Sequence, residues 1–258
     1  MSSKWQLWDD NPDYGEVFYK RATGQLPEME SSKKIAGIIK GEIRSQDTLL
    51  DVGCGAGHYL RSLQREIQVD FSYTGADATA EYIRRAREAF PPTEATFAIA
   101  DIYKLPFADK SFDIVMCNNV LLHLPSVKQP LDELIRVAKR KLFIRLLCGS
   151  RSFIIKDIDP SNEEYNDQGE PLAFSYFNIY SKSYIEQILT ENNRIKSFNF
   201  RQESDVNIEA MNNESVKGLS DASNVTKVAN GNLVNGYILQ PWVIVEIDLK
   251  DGNEGPAK

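Results

Sequence analysis

The sequence is poor in the residues that bind metals or form disulfides. It has 258 residues but only three cysteines and two histidines. The cysteines lie far apart at the ends of apolar runs, which is typical of reduced thiols beside buried strands in a cytoplasmic protein. No metal-site spacing joins them to the histidines, so we expect neither a disulfide framework nor a bound metal.

Long apolar runs and clusters of positive charge are also lacking. The N-terminus contains no apolar core of a signal peptide, and no uninterrupted apolar run approaches the length of a membrane span. The formal net charge is -7, with 30 basic and 37 acidic residues. A nucleic-acid-binding protein would instead carry clustered lysine and arginine. We therefore expect a cytoplasmic protein with neither a membrane nor a nucleic acid as its partner.

Apolar runs that resemble strands alternate with amphipathic segments that resemble helices. Because these runs are nearly continuous, their order predicts a parallel sheet covered by helices on both faces. Strands are predicted at 48–54, 71–77, 95–101, 111–119 and 141–149. Two later strands, at 194–202 and 236–249, have no clear helix between them, which predicts antiparallel pairing at the sheet edge.

The segment LLDVGCGAGHYL, residues 49–60, runs from an apolar strand into three glycines spaced by two. Glycines in the first strand-to-helix turn allow positive φ and let a ligand approach the backbone closely. Asp51 precedes Gly53, and the third glycine, Gly57, falls one residue earlier than in the dinucleotide-binding fingerprint. A turn that serves only tight packing would have similar glycines, so the loop alone does not identify a ligand.

Acids also end the next two predicted strands. Asp77 ends the second strand, where a carboxylate can accept hydrogen bonds from both hydroxyls of a ribose. Asp101 ends the third strand and precedes Ile102, so a side-chain acceptor lies beside a backbone N–H, which suits an adenine ring. Any one of these acids is also explained as a helix cap. Three acids at three successive strand ends indicate a ligand that contains a nucleoside.

Three motifs taken together, LLDVGCGAGHYL, GADAT and IADIYKLPFADKSFDIVMCNNVLLHLP, resemble the class I S-adenosylmethionine-dependent methyltransferases. Within the last motif, ADIYKLPFADKSFDIV is typical of the branch that acts mostly on small molecules, the methyltransferase-11-like domain. The resemblance covers roughly residues 33–149. It implies a Rossmann-like α/β fold with a seven-stranded, mostly parallel sheet, helices on both faces and an antiparallel edge strand.

The resemblance implies S-adenosylmethionine as the cofactor and S-adenosylhomocysteine as its product. The glycine loop matches the part of the family site that faces the methionine half, Asp77 the ribose acid, and Asp101 and Ile102 the adenine site. Asn118 matches a position near the methionyl amine. The acids suit a cationic sulfonium, whereas a pyrophosphate would favour a helix N-terminus without carboxylates, so NAD is disfavoured. The predicted cofactor-binding residues are Asp51, Gly53, Cys54, Gly55, Asp77, Ala78, Asp101, Ile102, Asn118, Tyr14, Tyr19 and Arg21.

Related enzymes fold a leading helix over the cofactor, and residues 1–30 are predicted to form such a lid. Tyr14, Tyr19 and Arg21 are placed where a hydroxyl or a guanidinium would reach the methionine carboxylate. An alternative is that the aromatic residues of this segment simply cover an exposed sheet edge. The rest is divided into a methyltransferase domain at 31–249, a substrate-pocket insertion with a flexible loop at 150–235 within it, and a disordered tail at 250–258.

The candidate general base is His123, which follows the fourth strand on the rim where an acceptor should lie. Family members often have two adjacent histidines here, and Leu122 replaces the first. The alternative is that His123 only packs in the loop and bonds a carbonyl. The predicted function is methyl transfer to an oxygen or nitrogen atom of a small-molecule acceptor. Three alternatives stay open: a methyltransferase acting on protein or RNA, a protein that binds the cofactor without turnover, and a nicotinamide dehydrogenase.

Overall fold

The computed structural model describes residues 12–158, 164–203, 227–229, 232–234 and 242–250, with side chains from residue 15 onward except at 227–229 and 232–234. The predictions for residues 1–11 of the lid, for the side chain of Tyr14, for residues 159–163, 204–226, 230–231 and 235 of the insertion, for 236–241 of the last predicted strand and for the tail after residue 250 lie outside the described residues. Within the described part of the chain, no helix combines the length and apolar character needed to cross a membrane.

The helices follow amphipathic segments in which apolar side chains recur at the spacing of one helical face. In order along the chain they are Pro12–Ala22 (α1), Glu30–Lys40 (α2), His58–Glu66 (α3), Ala80–Ala89 (α4), Lys128–Val137 (α5) and Lys182–Glu191 (α6). A short 3-10 turn covers Leu121–His123 between the fourth strand and α5.

The strands follow the apolar runs. In chain order they are Asp47–Val52 (β1), Phe71–Asp77 (β2), Thr96–Ile99 (β3), Phe112–Asn118 (β4), Ala138–Gly149 (β5), Lys156–Asp157 (β6), Ser175–Tyr176 (β7), Tyr180–Ser181 (β8), Ile195–Gln202 (β9), Lys227–Ala229 (β10), Asn232–Val234 (β11) and Trp242–Leu249 (β12). β5 begins three residues earlier than predicted. Two of the three extra residues are charged and form ion pairs, Lys139 with Asp113 and Arg140 with Asp47.

The main sheet has the order β3-β2-β1-β4-β5-β12-β9, and β8 adds a short parallel pairing to β5. β1 to β5 are parallel, whereas β12 runs antiparallel to both β5 and β9. The predicted mostly parallel sheet with antiparallel pairing at its edge is therefore confirmed. The strand order reverses between β1 and β4, which is the place where open α/β sheets bind their ligands.

Helices cover both faces of the sheet because successive strand residues point to opposite sides. Leu49 packs in the cluster that contains α2, α3 and α4, whereas Leu50 packs in the cluster that contains α5 and α6. The two layers leave the carboxyl ends of the parallel strands as an uncovered edge. α1 packs against α3 and α4 beside this edge.

Candidate functional site

A cavity of about 440 Å³ lies along the carboxyl ends of the strands, where their order reverses. Its volume is within the range of about 300–1,000 Å³ that small-molecule sites have. The walls come from the glycine loop, α1, the ends of β2 and β4, the turn after β4, and the start of β12. The structure brings eight of the predicted site residues together in these walls: Gly53, Gly55, Asp77, Ala78, Asp101, Ile102, Asn118 and His123.

Gly53 makes the sharp turn that brings the backbone to the cavity. Its φ is +77°, and a Cβ atom built on it would lie 2.1 Å from Cγ2 of Val120. Its N–H donates to the carbonyl oxygen of Ala76 at 2.7 Å, which ties the loop to the end of β2. Only glycine combines this conformation with so close an approach of the two segments.

We expect Gly53→Ala to lower the free energy of unfolding by at least about 1 kcal/mol, because it adds both the strained φ and the clash with a stiff Val120 side chain. Gly37→Ala is the matched control, since a Cβ atom placed on Gly37, within α2, would have open space around it. That change is expected to stabilise by about 0.5–1 kcal/mol. Urea unfolding of both variants checks this, and equal stabilities would contradict the role of Gly53.

Asp77 joins the end of β2 to the glycine loop. Its Oδ2 accepts from the N–H of Gly55 at 2.9 Å, and its Oδ1 accepts from the N–H of Thr79 at 2.9 Å. These two bonds fix the plane of the carboxylate at the cavity wall. A carboxylate has about four acceptor positions in one plane. The arrangement therefore suits recognition of a pair of hydroxyls.

Asp101 and Ile102 lie beside Asp77 in the same wall, just after β3. Asp101 is exposed, and its Oδ1 accepts from the N–H of Tyr103 at 2.9 Å, whereas Ile102 is buried. Ala78 completes this end of the cavity. A polar acceptor beside an apolar surface is the combination that a planar, nitrogen-rich ring requires.

The side chain of Asn118 lines the cavity at the end of β4 and is 6% exposed. Neither its Oδ1 nor its Nδ2 has a hydrogen-bond partner among the described residues. A buried amide with both atoms unsatisfied is costly, and such groups in native proteins are normally paired. This side chain therefore indicates a polar ligand in the cavity.

Asp51 and Cys54 are not in the cavity wall, in contrast to their predicted place. Asp51 is 1% exposed, accepts from the hydroxyl of Tyr73 at 2.8 Å, and lies in the core beneath the loop. Burial raises the pKa of this carboxyl to about 7. Cys54 is fully buried, and burial raises the pKa of its thiol. Both residues support the loop from the side of the sheet that faces α2, α3 and α4.

α1 borders the cavity through Phe18, and neither Tyr19 nor Arg21 belongs to the wall. The Phe18 ring stacks on His58 with centroids 4.6 Å apart and an interplanar angle of 7°. Successive helical residues point about 100° apart, so a helix that turns Phe18 inward turns Tyr19 away. Arg21 instead donates to the sulfur of Met29 at 3.1 Å.

His123 lines the cavity on the turn after β4. Its Nδ1 lies 2.9 Å from the carbonyl oxygen of Tyr176, which can only accept a hydrogen bond. Nδ1 therefore carries the proton in the neutral ring, and Nε2 is the basic nitrogen. Burial lowers the pKa of His123, and the bond to Tyr176 opposes this only partly. The ring is neutral near pH 7 and suited to accept a proton.

Asn178 holds the turn of His123 in place. Its Nδ2 donates to the carbonyl oxygen of Leu124 at 2.9 Å, and its backbone N–H donates to the carbonyl oxygen of Leu122 at 2.8 Å. Its Oδ1 accepts from the N–H of Ile155 at 3.1 Å. The residue is fully buried, so these bonds are shielded from water. The sequence offered no signal for it, because it is a single asparagine in an irregular segment.

The sequence did not predict several further wall residues, because they come from distant parts of the chain. Tyr59 follows the glycine loop, Asn119 follows β4, and Trp242 begins β12. Met29 and Tyr103 also line the cavity, as does Phe177, which belongs to the predicted substrate-pocket insertion. Tyr59, Tyr103 and Asn119 lie within the quoted motifs, but nothing in those motifs singles them out, and only the folded sheet brings Met29 and Trp242 beside them.

Comparison with known proteins supports the same region. Residues 50–144 match the family model described as a methyltransferase domain. The 2-methyl-6-phytyl-1,4-hydroquinone methyltransferase of Synechocystis is 39% identical over 93 residues, which is 36% of this chain and 29% of that protein. The 27-O-demethylrifamycin SV methyltransferase of Amycolatopsis mediterranei is 30% identical over 124 residues, 46% of this chain and 44% of that protein. The matched region thus spans less than half the length of these relatives.

The fold comparison extends over more of the chain. The structure of the YcgJ protein from Bacillus subtilis has a TM-score of 0.54 at 20% identity. The aligned region covers 88% of this chain and 100% of that protein. At this identity the likeness shows a shared fold. The family match contains the glycine loop, Asp77, Asp101 and Asn118. Residues 50–144 are therefore similar in sequence to a methyltransferase domain, and the chain shares the fold of the YcgJ protein.

Proposed function

We propose that this protein binds S-adenosylmethionine and transfers its methyl group to an oxygen or nitrogen atom of a small-molecule acceptor. The observation that carries the proposal is the cavity in whose wall Asp77, Asp101, Asn118 and His123 occur together. The first two supply acceptors for a nucleoside, the third is an unsatisfied amide, and the fourth is a base. A protein that binds the cofactor without turnover would not require the base.

The wall residues fit the chemistry of this cofactor. Asp77 would accept hydrogen bonds from the ribose hydroxyls, while Ala78 and Ile102 would pack on the adenine ring. Gly53 and Gly55 would let the methionine half approach the backbone. The amide of Asn118, which has no partner among the described residues, would be satisfied by the polar end of the methionine. The carboxylates also suit a ligand that carries positive charge and no phosphate.

S-adenosylmethionine, when bound, supplies a methyl group on a sulfonium sulfur, which a correctly aligned nucleophile can accept. The contribution of the protein is therefore mainly to position the acceptor and exclude water. Phe18 and the turn of His123 both border the cavity and would shield it from solvent. Nε2 of His123 would take the proton from a hydroxyl acceptor as its oxygen is methylated.

Two features favour a small molecule over protein or RNA as the acceptor. α1 lies against the cavity, with Phe18 stacked on His58, which restricts access for a polymer. The two curated relatives are named for acting on a hydroquinone and on a rifamycin, both small molecules. We extend that acceptor class to this chain as part of the proposal.

The proposal is tested with methyl-labelled S-adenosylmethionine, the purified protein and a cell lysate separated into small-molecule, protein and RNA fractions. We expect the label to enter the small-molecule fraction. Label in the protein or RNA fraction would contradict the proposed acceptor class. Label in none of the fractions, with the cofactor bound, would favour a protein that binds without turnover. Protein carrying Asp77→Asn is the control for transfer that does not depend on the cavity.

A further inference from the structure

The sheet order gives the cavity two distinct ends. β2 and β3 lie on one side of β1, whereas β4, β5 and β12 lie on the other. Because β12 is antiparallel to β5, its first residue, Trp242, pairs with Leu147 and lies at the same edge as the carboxyl ends of the parallel strands. Trp242 and Asp101 are therefore at opposite ends of the cavity, five strands apart, or roughly 24 Å at about 4.8 Å per strand.

The Trp242 end of the cavity is aromatic and, in the part of the chain that the structure describes, carries no formal charge. Phe177 and Trp242 supply apolar surface, and Phe177 is 42% exposed, which places it at the mouth. Among the described lining residues, the formally charged ones are Asp77 and Asp101, both at the nucleoside end, and none is lysine or arginine. An anionic acceptor would thus lose its hydration at this end without gaining a cation.

The nearest buried cation, Arg145, is already paired. Its Nε and Nη2 donate to Glu203 at 2.8 and 2.9 Å, and Nη1 donates to Oδ1 of Asn119. The guanidinium is 3.9 Å from the centre of the Trp242 ring, and the side chain is 7% exposed. Arg145 therefore holds Trp242 and Asn119 in place while Glu203 neutralises its charge.

The hydrogen bond between Arg145 and Asn119 also links the guanidinium to a third wall residue, Tyr59. Nδ2 of Asn119 donates to the hydroxyl of Tyr59 at 3.3 Å, and that hydroxyl donates to Ser31 at 3.1 Å. Asn119 has a φ of +61°, an uncommon conformation for a residue other than glycine. One buried ion pair thus orients Trp242, Asn119 and Tyr59, and makes this wall a rigid, neutral surface.

We propose that the methyl acceptor is a neutral, planar ring compound with a hydroxyl or amino substituent, that it packs on Trp242, and that Arg145 is the positioning residue for this wall. This inference rests on the proposed function. A planar ring matches a fixed aromatic surface better than a saturated ring does. A neutral compound avoids the unpaired burial of an anion.

Isothermal titration calorimetry on the full chain tests the ligand class. The protein is first saturated with S-adenosylhomocysteine and then titrated with one of three compounds. 2-Naphthol is neutral and planar, 2-naphthoate has the same ring system but a negative charge, and decahydro-2-naphthol is neutral but not planar. We expect 2-naphthol to bind at least tenfold more tightly than each of the other two. Equal or tighter binding of either comparison compound, or no binding of 2-naphthol to protein saturated with S-adenosylhomocysteine, would overturn the inference. Absence of S-adenosylhomocysteine binding would instead overturn the proposed function itself.

The double variant Arg145→Met/Glu203→Gln tests the positioning role without leaving a single buried charge. We expect 2-naphthol to bind at least tenfold more weakly, with the affinity for S-adenosylhomocysteine within twofold of the original chain. A merely structural role would lower both affinities together, and unchanged binding of 2-naphthol would also overturn the proposal. Arg140→Met/Asp47→Asn removes a comparable, largely buried pair at the opposite end of the sheet and should leave both affinities unchanged.

Discussion

Asp77→Asn is expected to weaken the binding of S-adenosylhomocysteine about 100-fold. The carboxylate would accept two hydrogen bonds from ribose hydroxyls, and bonds to a charged acceptor contribute about 1.5–3 kcal/mol each. Asparagine keeps one acceptor oxygen but replaces the other with a donor. It therefore also loses one of the two bonds to the N–H groups of Gly55 and Thr79. A loss of roughly 2.8 kcal/mol corresponds to the expected 100-fold change in the dissociation constant.

Asp113→Asn is the control for this variant, because it also removes a carboxylate that accepts a backbone N–H. Oδ2 of Asp113 accepts from the N–H of Thr48 at 3.0 Å, at the end of the sheet away from the cavity. We expect this variant to be less stable but to keep its affinity. If calorimetry gives the two variants the same affinity as the original chain, Asp77 is not the ribose-binding acid.

His123→Gln is expected to lower kcat for a hydroxyl acceptor by roughly 100-fold to 10,000-fold, the usual contribution of a general base. Glutamine can still donate to the carbonyl oxygen of Tyr176, which His123 contacts at 2.9 Å, but it has no basic nitrogen. The affinity for S-adenosylhomocysteine should change little, because the cofactor would be held by other residues. A variant with unchanged kcat would show that His123 only packs in the turn.

The pH dependence separates a missing base from a disturbed fold. Burial lowers the pKa of His123 below its ordinary value of 6.5, and a general base acts only when it has lost its proton. The kcat of the original chain should therefore rise as the pH increases through the lowered pKa and level off near neutrality. His123→Gln should lack this step and gain activity only at high pH, where the acceptor hydroxyl ionises unaided.

The sequence predicted the parts of the site that depend on local pattern. Asp77 and Asp101 lie at strand ends because apolar runs define where strands stop, and parallel strands bring those ends to one edge. The glycine spacing likewise predicted positive φ, which the structure has at +77° for Gly53 and +56° for Gly55. These features depend on a few neighbouring residues, so a single sequence contains them.

Features that depend on packing between distant segments were not predictable. The rotation of α1 decides that Phe18, and not Tyr19, borders the cavity, and this rotation is set by contacts with α3 and α4. Trp242 joins the site only because β12 is inserted between β5 and β9. The burial of Asp51 beside Tyr73 depends on the pairing of β1 with β2, which the pattern of a single strand leaves open.

The most direct test of the central claim, that the cavity is a methyl-donor site, is thermal unfolding of the protein with S-adenosylhomocysteine and, in parallel, with NADH. A ligand at 100 times its dissociation constant adds about 2.7 kcal/mol to the stability of the folded state. We predict that S-adenosylhomocysteine raises the unfolding temperature by several degrees and that NADH does not. A rise with NADH and none with S-adenosylhomocysteine would contradict the account.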